Sequence, residues 1–156
     1  MGFTDLSTFA AALPASGPLL GVDPGSKRIG VAVSDPSRLI ASSLETITRG
    51  KFAETAQRLF ALYDSRACAG LVIGLPLNMD GAPGPAAQAA GAFARNLLAL
   101  RPVPLLLWDE RLTTAAVTRT LIAADASRRR RGEVIDKLAA AYMLQGALDA
   151  LRARKP

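Results

Sequence analysis

The sequence predicts an α/β fold: a mixed five-stranded sheet, three antiparallel strands followed by parallel ones, with helices on both faces. Three observations carry this. The apolar runs Leu19-Leu20-Gly21-Val22 and Ile29-Gly30-Val31-Ala32-Val33 flank a short Pro, Gly and Ser turn, the pattern of a hairpin. Two later runs, 70–76 and 103–108, are short, apolar and bounded by proline, as strands buried on both faces are. Between and after them lie stretches with apolar residues at 3-and-4 spacing, which is the helical period.

Taken in order, residues 1–18 read as an N-terminal extension of uncertain order, and 19–152 as one domain. After the hairpin, 39–48 alternates Ser, Thr and Ile as a third strand that Arg49-Gly50 ends. Phe52, Ala56, Leu59, Phe60 and Tyr63 mark one stripe of a helix over 51–66. The strand 70–76 stops at Pro76, the turn-rich 77–85 follows, and 86–100 is an Ala-rich helix closed by Pro102. Beyond the strand 103–108, Thr113 or Thr114 caps a helix to about 125. Ser127-Arg128-Arg129-Arg130-Arg131-Gly132 reads as a basic loop before a last helix, 133–152, and 153–156 as a basic tail. Such a βββ-α-β-α-β-α-α order implies a mixed sheet, whose sites gather at strand ends.

Composition removes whole classes of chemistry. The 156 residues include no histidine, so imidazole bases and His-zinc centres are excluded. A single cysteine, Cys68, excludes an internal disulfide and a cysteine zinc cluster, and its neighbours mark it as core filling. No apolar stretch approaches the roughly 20 residues that span a bilayer. The start of the chain has no basic n-region, and 9–13 is too short for a secretory core, so a cytoplasmic protein is expected. Net charge of +6 points to a polyanion partner.

Asp23 closes the first apolar run at the rim of the expected sheet. Asp109 and Glu110 follow directly on the strand ending at Trp108, so at least one carboxylate projects beyond that strand as Asp23 does. Asp136 falls in the first turn of the expected last helix, with the small residues Ala139 and Ala140 at i+3 and i+4 leaving space above it. Each acid alone has a bland reading: an Asx turn for Asp23, a solvated charge cluster for Asp109-Glu110-Arg111, a favourable helix N-terminus for Asp136. Together they are harder to dismiss. Two unit charges about 4 Å apart repel by roughly 4 kcal/mol at an effective dielectric of about 20, so convergent carboxylates need a cation between them. Oxygen-only ligands match Mg²⁺ or Mn²⁺. Two such ions roughly 4 Å apart clamp the attacking and leaving oxygens of an in-line phosphoryl displacement and supply a nucleophile without an imidazole base.

Three segments then resemble one family: LLGVDPGSKRIGVAVSD, LVIGLPLNMDG, and LWDERLTTAAV with RRGEVIDKLAAAYMLQGAL. They are similar to the YqgF/RuvX family, the Holliday junction resolvases of the ribonuclease H-like superfamily, over about 19–151. The resemblance implies a ribonuclease H-like fold and a metal-dependent nuclease that matures the 5′ end of the small-subunit rRNA precursor or resolves DNA junctions. Carried onto this chain it assigns an acidic triad of Asp23, Glu110 and Asp136, holding Mg²⁺ or Mn²⁺. Lys27 and Arg28, which follow Asp23, are read as phosphate contacts, Arg111, Thr113 and Thr114 as substrate contacts or simple helix capping, and Arg128, Arg129, Arg130 and Arg131 as a stretch that tracks a nucleic acid backbone or an ordinary basic loop. Asn78 and Asp80 are weaker candidates, since Asn-Met-Asp-Gly is also ordinary turn chemistry. The expected partners are precursor rRNA, branched DNA and ribosomal particles, with no membrane, and a monomer or weak homodimer. Two other classes compete: a non-catalytic nucleic-acid-binding or ribosome-assembly module, and an actin-like ATPase, for which the chain is too short. The extension and the run of arginines depart from the family pattern.

Overall fold

Five strands form one sheet in the order β3-β2-β1-β4-β5. The computed structural model describes residues 5–25, 27–78, 80–112 and 128–154, with the side chains of 112 and 128–136 outside that description. The elements are α1 (Leu6–Ala12), β1 (Leu19–Pro24), β2 (Arg28–Ser34), β3 (Ala41–Thr48), α2 (Phe52–Ser65), β4 (Gly70–Leu75), α3 (Pro85–Leu100), β5 (Leu105–Asp109), a 3-10 turn (Glu110–Leu112) and α4 (Arg128–Ala153). The pairs β1/β2 and β2/β3 are antiparallel, whereas β1/β4 and β4/β5 are parallel. That is the mixed sheet the sequence predicts, and no described helix is long and apolar enough to cross a membrane.

Strand alternation divides the core in two. Leu20, Val22, Ile29, Val31, Leu71, Ile73 and Leu105 face α2 and α3, where Ala56, Leu59, Phe93 and Leu97 meet them. Leu19, Ala32, Val72, Leu106 and Trp108 face the other way, toward Ala140, Met143, Leu144, Ala147 and Leu148 of α4. Helix α4 lies close on this second face because the sheet is bare beneath it: a Cβ built on Gly21 would stand 2.9 Å from the Leu144 Cβ. Ala139 and Ala140 are therefore packed against the sheet, correcting the expectation that they leave open space.

Several boundaries differ from the sequence reading. The third strand begins at Ala41, with Leu39 and Ile40 exposed before it, and the fifth spans Leu105–Asp109 rather than 103–108. The arginine run is not a loop but the start of α4. Arginine is a good helix former, and the one glycine of this stretch, Gly132, is carried by the core-packed half of the helix that follows. The helix expected from Thr113 or Thr114 to about 125 lies outside the described residues.

Residues 1–18 were set apart by sequence as an extension. Within them Asp5 caps α1 through its side chain, accepting from the backbone N–H of Ser7 and Thr8. Phe9 is fully buried, and its ring and Leu13 fill the space over Gly70 at the start of β4. Arg38 pins the connection into β1, its Nε donating to the Gly17 carbonyl at 2.8 Å and its Nη2 to the Pro14 carbonyl at 2.9 Å. Truncating a fully buried phenylalanine leaves a cavity and costs about 3–5 kcal/mol. Phe9→Ala is therefore expected to lower unfolding stability by that amount in a urea melt; an unchanged midpoint would mean α1 contributes nothing to the fold.

Candidate active site

Asp23 ends the buried part of β1, two residues beyond Gly21, and so shares the α4 face of the sheet. It is 7% exposed. Its partner across the antiparallel ladder is Gly30 of β2. After it the chain turns sharply: the Gly25 N–H donates to the Asp23 carbonyl at 3.0 Å, and a Cβ at Gly25 would lie 2.5 Å from the Arg28 carbonyl oxygen. Only glycine fits that turn without a shift of backbone.

On the next strand over, β4, the residue after Val72 on the same face is Gly74. A Cβ there would stand 2.6 Å from Glu110 Oε1 and 3.1 Å from its Cδ. The Glu110 carboxylate thus lies in the space a side chain at 74 would take, and Glu110 is 8% exposed. Strands are about 4.8 Å apart, so a carboxylate rooted beyond β5 and lying over β4 comes within roughly one strand spacing of β1. An aspartate at 110, one methylene shorter, would reach less far across β4. Gly74 is the site residue that sequence reading passed over, although a glycine inside a strand is a recognised mark of close approach.

Asp109 and Glu110 differ in side-chain direction. Asp109 turns to Arg111, whose Nη2 donates to Oδ2 at 2.7 Å and whose backbone N–H donates to Oδ1 at 3.0 Å. Those Arg111 hydrogen bonds hold the Asp109 carboxyl below the usual carboxylate range. The guanidinium also lies over Gly81, where a Cβ would be 3.3 Å from Nη1, so Arg111 links the end of β5 to the loop after β4. In that loop Asn78 and Asp80 perform turn chemistry: the Gly81 N–H donates to the Asn78 carbonyl at 2.8 Å and the Ala82 N–H to Asp80 Oδ1 at 2.9 Å.

Asp136 is the ninth residue of α4, which starts at Arg128, and does not lie in its first turn. The helix dipole acts within the first turn, so the bland reading of Asp136 as a dipole-favoured acid no longer applies. Its side chain is outside the described residues. Helical period puts position 136 on the stripe of Ala140, Met143, Leu144 and Ala147, which faces the sheet. The direction of α4 is fixed by two contacts with β3: Gln145 Oε1 accepts from the Ala41 N–H at 2.8 Å, and the Lys137 carbonyl accepts from the Ser43 hydroxyl at 3.2 Å. As β3 advances, α4 recedes in number, so its earlier turns run toward the carboxyl ends of β1 and β3. That is the end of the sheet where Asp23 sits. Among the described residues no three acids or thiols form a metal-holding group.

Lys27 is exposed on the hairpin turn and Arg28 half-buried at the start of β2. Thr113 and Thr114, and the side chains of Arg128, Arg129, Arg130 and Arg131, lie outside the described residues. Cys68 is half-buried, and burial pushes its thiol up to about 11. A raised thiol pKa keeps the sulfur protonated, and any stabilisation it brings is present at neutral pH and lost as pH rises toward that value. Iodoacetamide modification of the folded protein is accordingly expected to stay slow through pH 9 and to accelerate only in denaturant; rapid alkylation at pH 7 would reveal an activated thiol.

A family profile described as "RuvX: Holliday junction resolvase" matches residues 17–150. A Rhodospirillum rubrum protein named "Putative pre-16S rRNA nuclease" is 59% identical over 157 residues, covering 100% of this chain and 98% of that protein. Relatives of the same name from Paracoccus denitrificans and Caulobacter vibrioides are 56% and 54% identical, covering 95% and 97% of this chain and 94% and 99% of theirs. Among solved structures, "T. thermophilus RuvC in complex with Holliday junction substrate" superposes with a TM-score of 0.53 at 15% identity, covering 88% of this chain and 95% of that one. "Crystal Structure of the Yeast Mitochondrial Holliday Junction Resolvase, Ydc2" gives 0.50 at 14% identity, covering 95% and 86%.

Proposed function

Because the chain belongs to the RuvX Holliday junction resolvase family and has the ribonuclease H-like fold of the RuvC-type resolvases, we propose that it is a divalent-metal-dependent nuclease acting on the 5′ end of the 16S rRNA precursor. One observation supports this above the rest: the Glu110 carboxylate lies over Gly74 on the same sheet face, and at the same strand ends, as Asp23.

In this reading Asp23, Glu110 and Asp136 hold Mg²⁺ or Mn²⁺. The donor set fits a hard cation, since ionised carboxylates are acceptors only and a Cβ at Gly74 would occupy the Glu110 seat. When bound, a pair of such ions supplies the activation of water and the neutralisation of charge at the scissile phosphate. The protein's own part is to fix the carboxylates on rigid elements and to bind the strand. Asp23 is held by the β1 ladder and the tight turn after it, and Glu110 by the bare backbone of β4. Lys27 and Arg28 follow Asp23 and bind backbone phosphate, while Arg111, Thr113, Thr114 and Arg128 to Arg131 extend the contact along the strand. Neutral Cys68 takes no part. The precursor rRNA assignment comes from the names carried by the relatives of nearly equal length.

Cleavage assays on precursor rRNA, single-stranded RNA, duplex DNA and a four-way junction, each with and without Mn²⁺, test the proposal. Asp23→Asn is expected to abolish metal-dependent cleavage while leaving RNA binding intact, and cleavage at the parent rate would remove the carboxylate mechanism. If the junction is cut and the RNA is not, the substrate assignment fails while the nuclease stands. Gly74→Ala displaces the Glu110 carboxylate, and a misplacement of about 1 Å costs on the order of 10²-fold in turnover. Adding Glu110→Asp, which withdraws the carboxylate by one methylene, is expected to recover part of that loss with no change in melting temperature. Full activity in Gly74→Ala alone would show that the seat over β4 is irrelevant to turnover.

A further inference from the structure

Among the described residues Arg49, like Arg38, is ordered without a carboxylate, unlike the ion-paired arginines. Arg58, Arg101, Arg111 and Arg152 each meet a carboxylate, on Glu45, Asp64, Asp109 and Asp149, at 2.7 Å or less. Arg49 makes no ion pair with any described carboxylate. It is nonetheless held in place, because its Nε donates to the Gly25 carbonyl at 2.9 Å and its guanidinium carbon stands 5.6 Å from the centre of the Phe93 ring. The Arg49 N–H also donates to the Lys27 carbonyl at 2.9 Å, tying it to the hairpin turn. A guanidinium ordered by neutral groups keeps its charge for a ligand from outside.

Such a ligand has room. A cleft of about 290 Å³ is lined by Pro24, Gly25, Arg49, Ala86 and Ala89. Its floor is the turn that immediately follows Asp23, and two Cα steps of 3.8 Å put Gly25 within about 7.6 Å of Asp23. Asp23 faces α4 and Pro24 alternates to the opposite side, so the cleft opens just across the rim of the sheet from the candidate active site. Ala86 and Ala89 are exposed and put only methyl groups into the cleft wall. Lys27 and Lys51, both exposed, flank Arg49 along the same turn region. Glu54, in the first turn of α2, forms no ion pair with Arg49.

We propose that this cleft is a second phosphate site, in which Arg49 binds a backbone phosphodiester of the polynucleotide strand that neighbours the one at Asp23. The inference rests on the nuclease reading only for the location of the scissile phosphate. The bound strand crosses the β1–β2 turn, with one phosphate on the α4 side of the rim and the next contact on the α3 side. A planar guanidinium suits this role because it presents two N–H groups to a phosphate while Nε stays on the Gly25 carbonyl.

The test is binding, read by fluorescence anisotropy of a labelled 2′-O-methyl oligoribonucleotide, with the matching oligodeoxyribonucleotide as a second arm. It is run in the Asp23→Asn background so that no result depends on cleavage. Arg49→Gln is expected to weaken binding of both strands about three- to tenfold and to reduce the salt slope of log K by about 0.7, the single-strand value for one lost phosphate contact. Ala89→Glu, an exposed helix substitution that leaves Arg49 and its contacts in place, is expected to weaken binding similarly by setting a carboxylate in the cleft. Single methylphosphonates scanned along the strand provide a readout that a structural role for Arg49 would not move. One position should cost the Arg49 protein the same factor as Arg49→Gln and cost the Arg49→Gln protein nothing. Equal affinity and salt slope in Arg49→Gln, or a methylphosphonate profile identical in the two proteins, would overturn the proposal. If the wild-type protein cleaves no substrate yet shows this coupling, the nuclease reading falls and the phosphate site stands.

Discussion

The site depends on glycines that recur on one face of the sheet. Under α4, glycine takes inward positions at Gly21 of β1 and Gly74 of β4, and Gly30 of β2 stands opposite Asp23. At Gly21 the vacancy is filled by Leu144, which lets the helix rest almost on backbone. At Gly74 it is filled by the carboxylate of Glu110 instead. One constraint, glycine on one face of neighbouring strands, therefore sets both the height of the helix over the sheet and the seat of an acid at the end of it. Buried carboxylates are costly without compensation, and retaining two of them at less than a tenth exposed argues for a use beyond packing.

The two faces of the sheet divide the labour. The face under α2 and α3 is filled by branched and aromatic side chains and fixes the register of the strands. The face under α4 is apolar at its lower part, with Phe9, Leu19, Val72 and Leu106 meeting α1 and α4, and becomes acidic only at the carboxyl ends of β1 and β5. Polar chemistry is thereby confined to the rim, where the Gly25 turn and the 3-10 turn at Glu110 carry the chain away from the sheet. The basic residues near that rim follow the same economy of position. Arg111 is engaged by Asp109, whereas Arg49 is ordered by a carbonyl and a ring.

Much of this was legible in the sequence. Period-2 runs gave the hairpin, buried apolar runs gave β4 and β5, and the helical stripes gave α2, α3 and the body of α4. Asp23 could be placed because a strand end followed by Pro-Gly has few alternatives. Asp109 and Glu110 could not be separated by pattern, since neighbouring residues at a strand end differ only in which face they take; the structure pairs Asp109 with Arg111 and lays Glu110 over Gly74. The start of α4 reads as a loop because a run of like charges suggests one, yet arginine has good helix propensity and the buried half of the helix supports the turns before it. Helix α1 has only two large apolar side chains in seven residues, too few to show a periodicity, and Phe9 matters only once Gly70 opens a place for it. Arg49 has no local signature at all. Its role comes from a hairpin turn and an α3 ring brought together by the fold.

The central claim is that three carboxylates at one edge of the sheet share divalent ions. Anomalous diffraction from a crystal soaked in Mn²⁺ addresses it most directly. The account predicts manganese peaks bounded by the carboxylates of Asp23, Glu110 and Asp136, with Glu110 still lying over Gly74. Manganese absent from that edge, or an Asp136 side chain directed away from Asp23 in the presence of the ion, would contradict it.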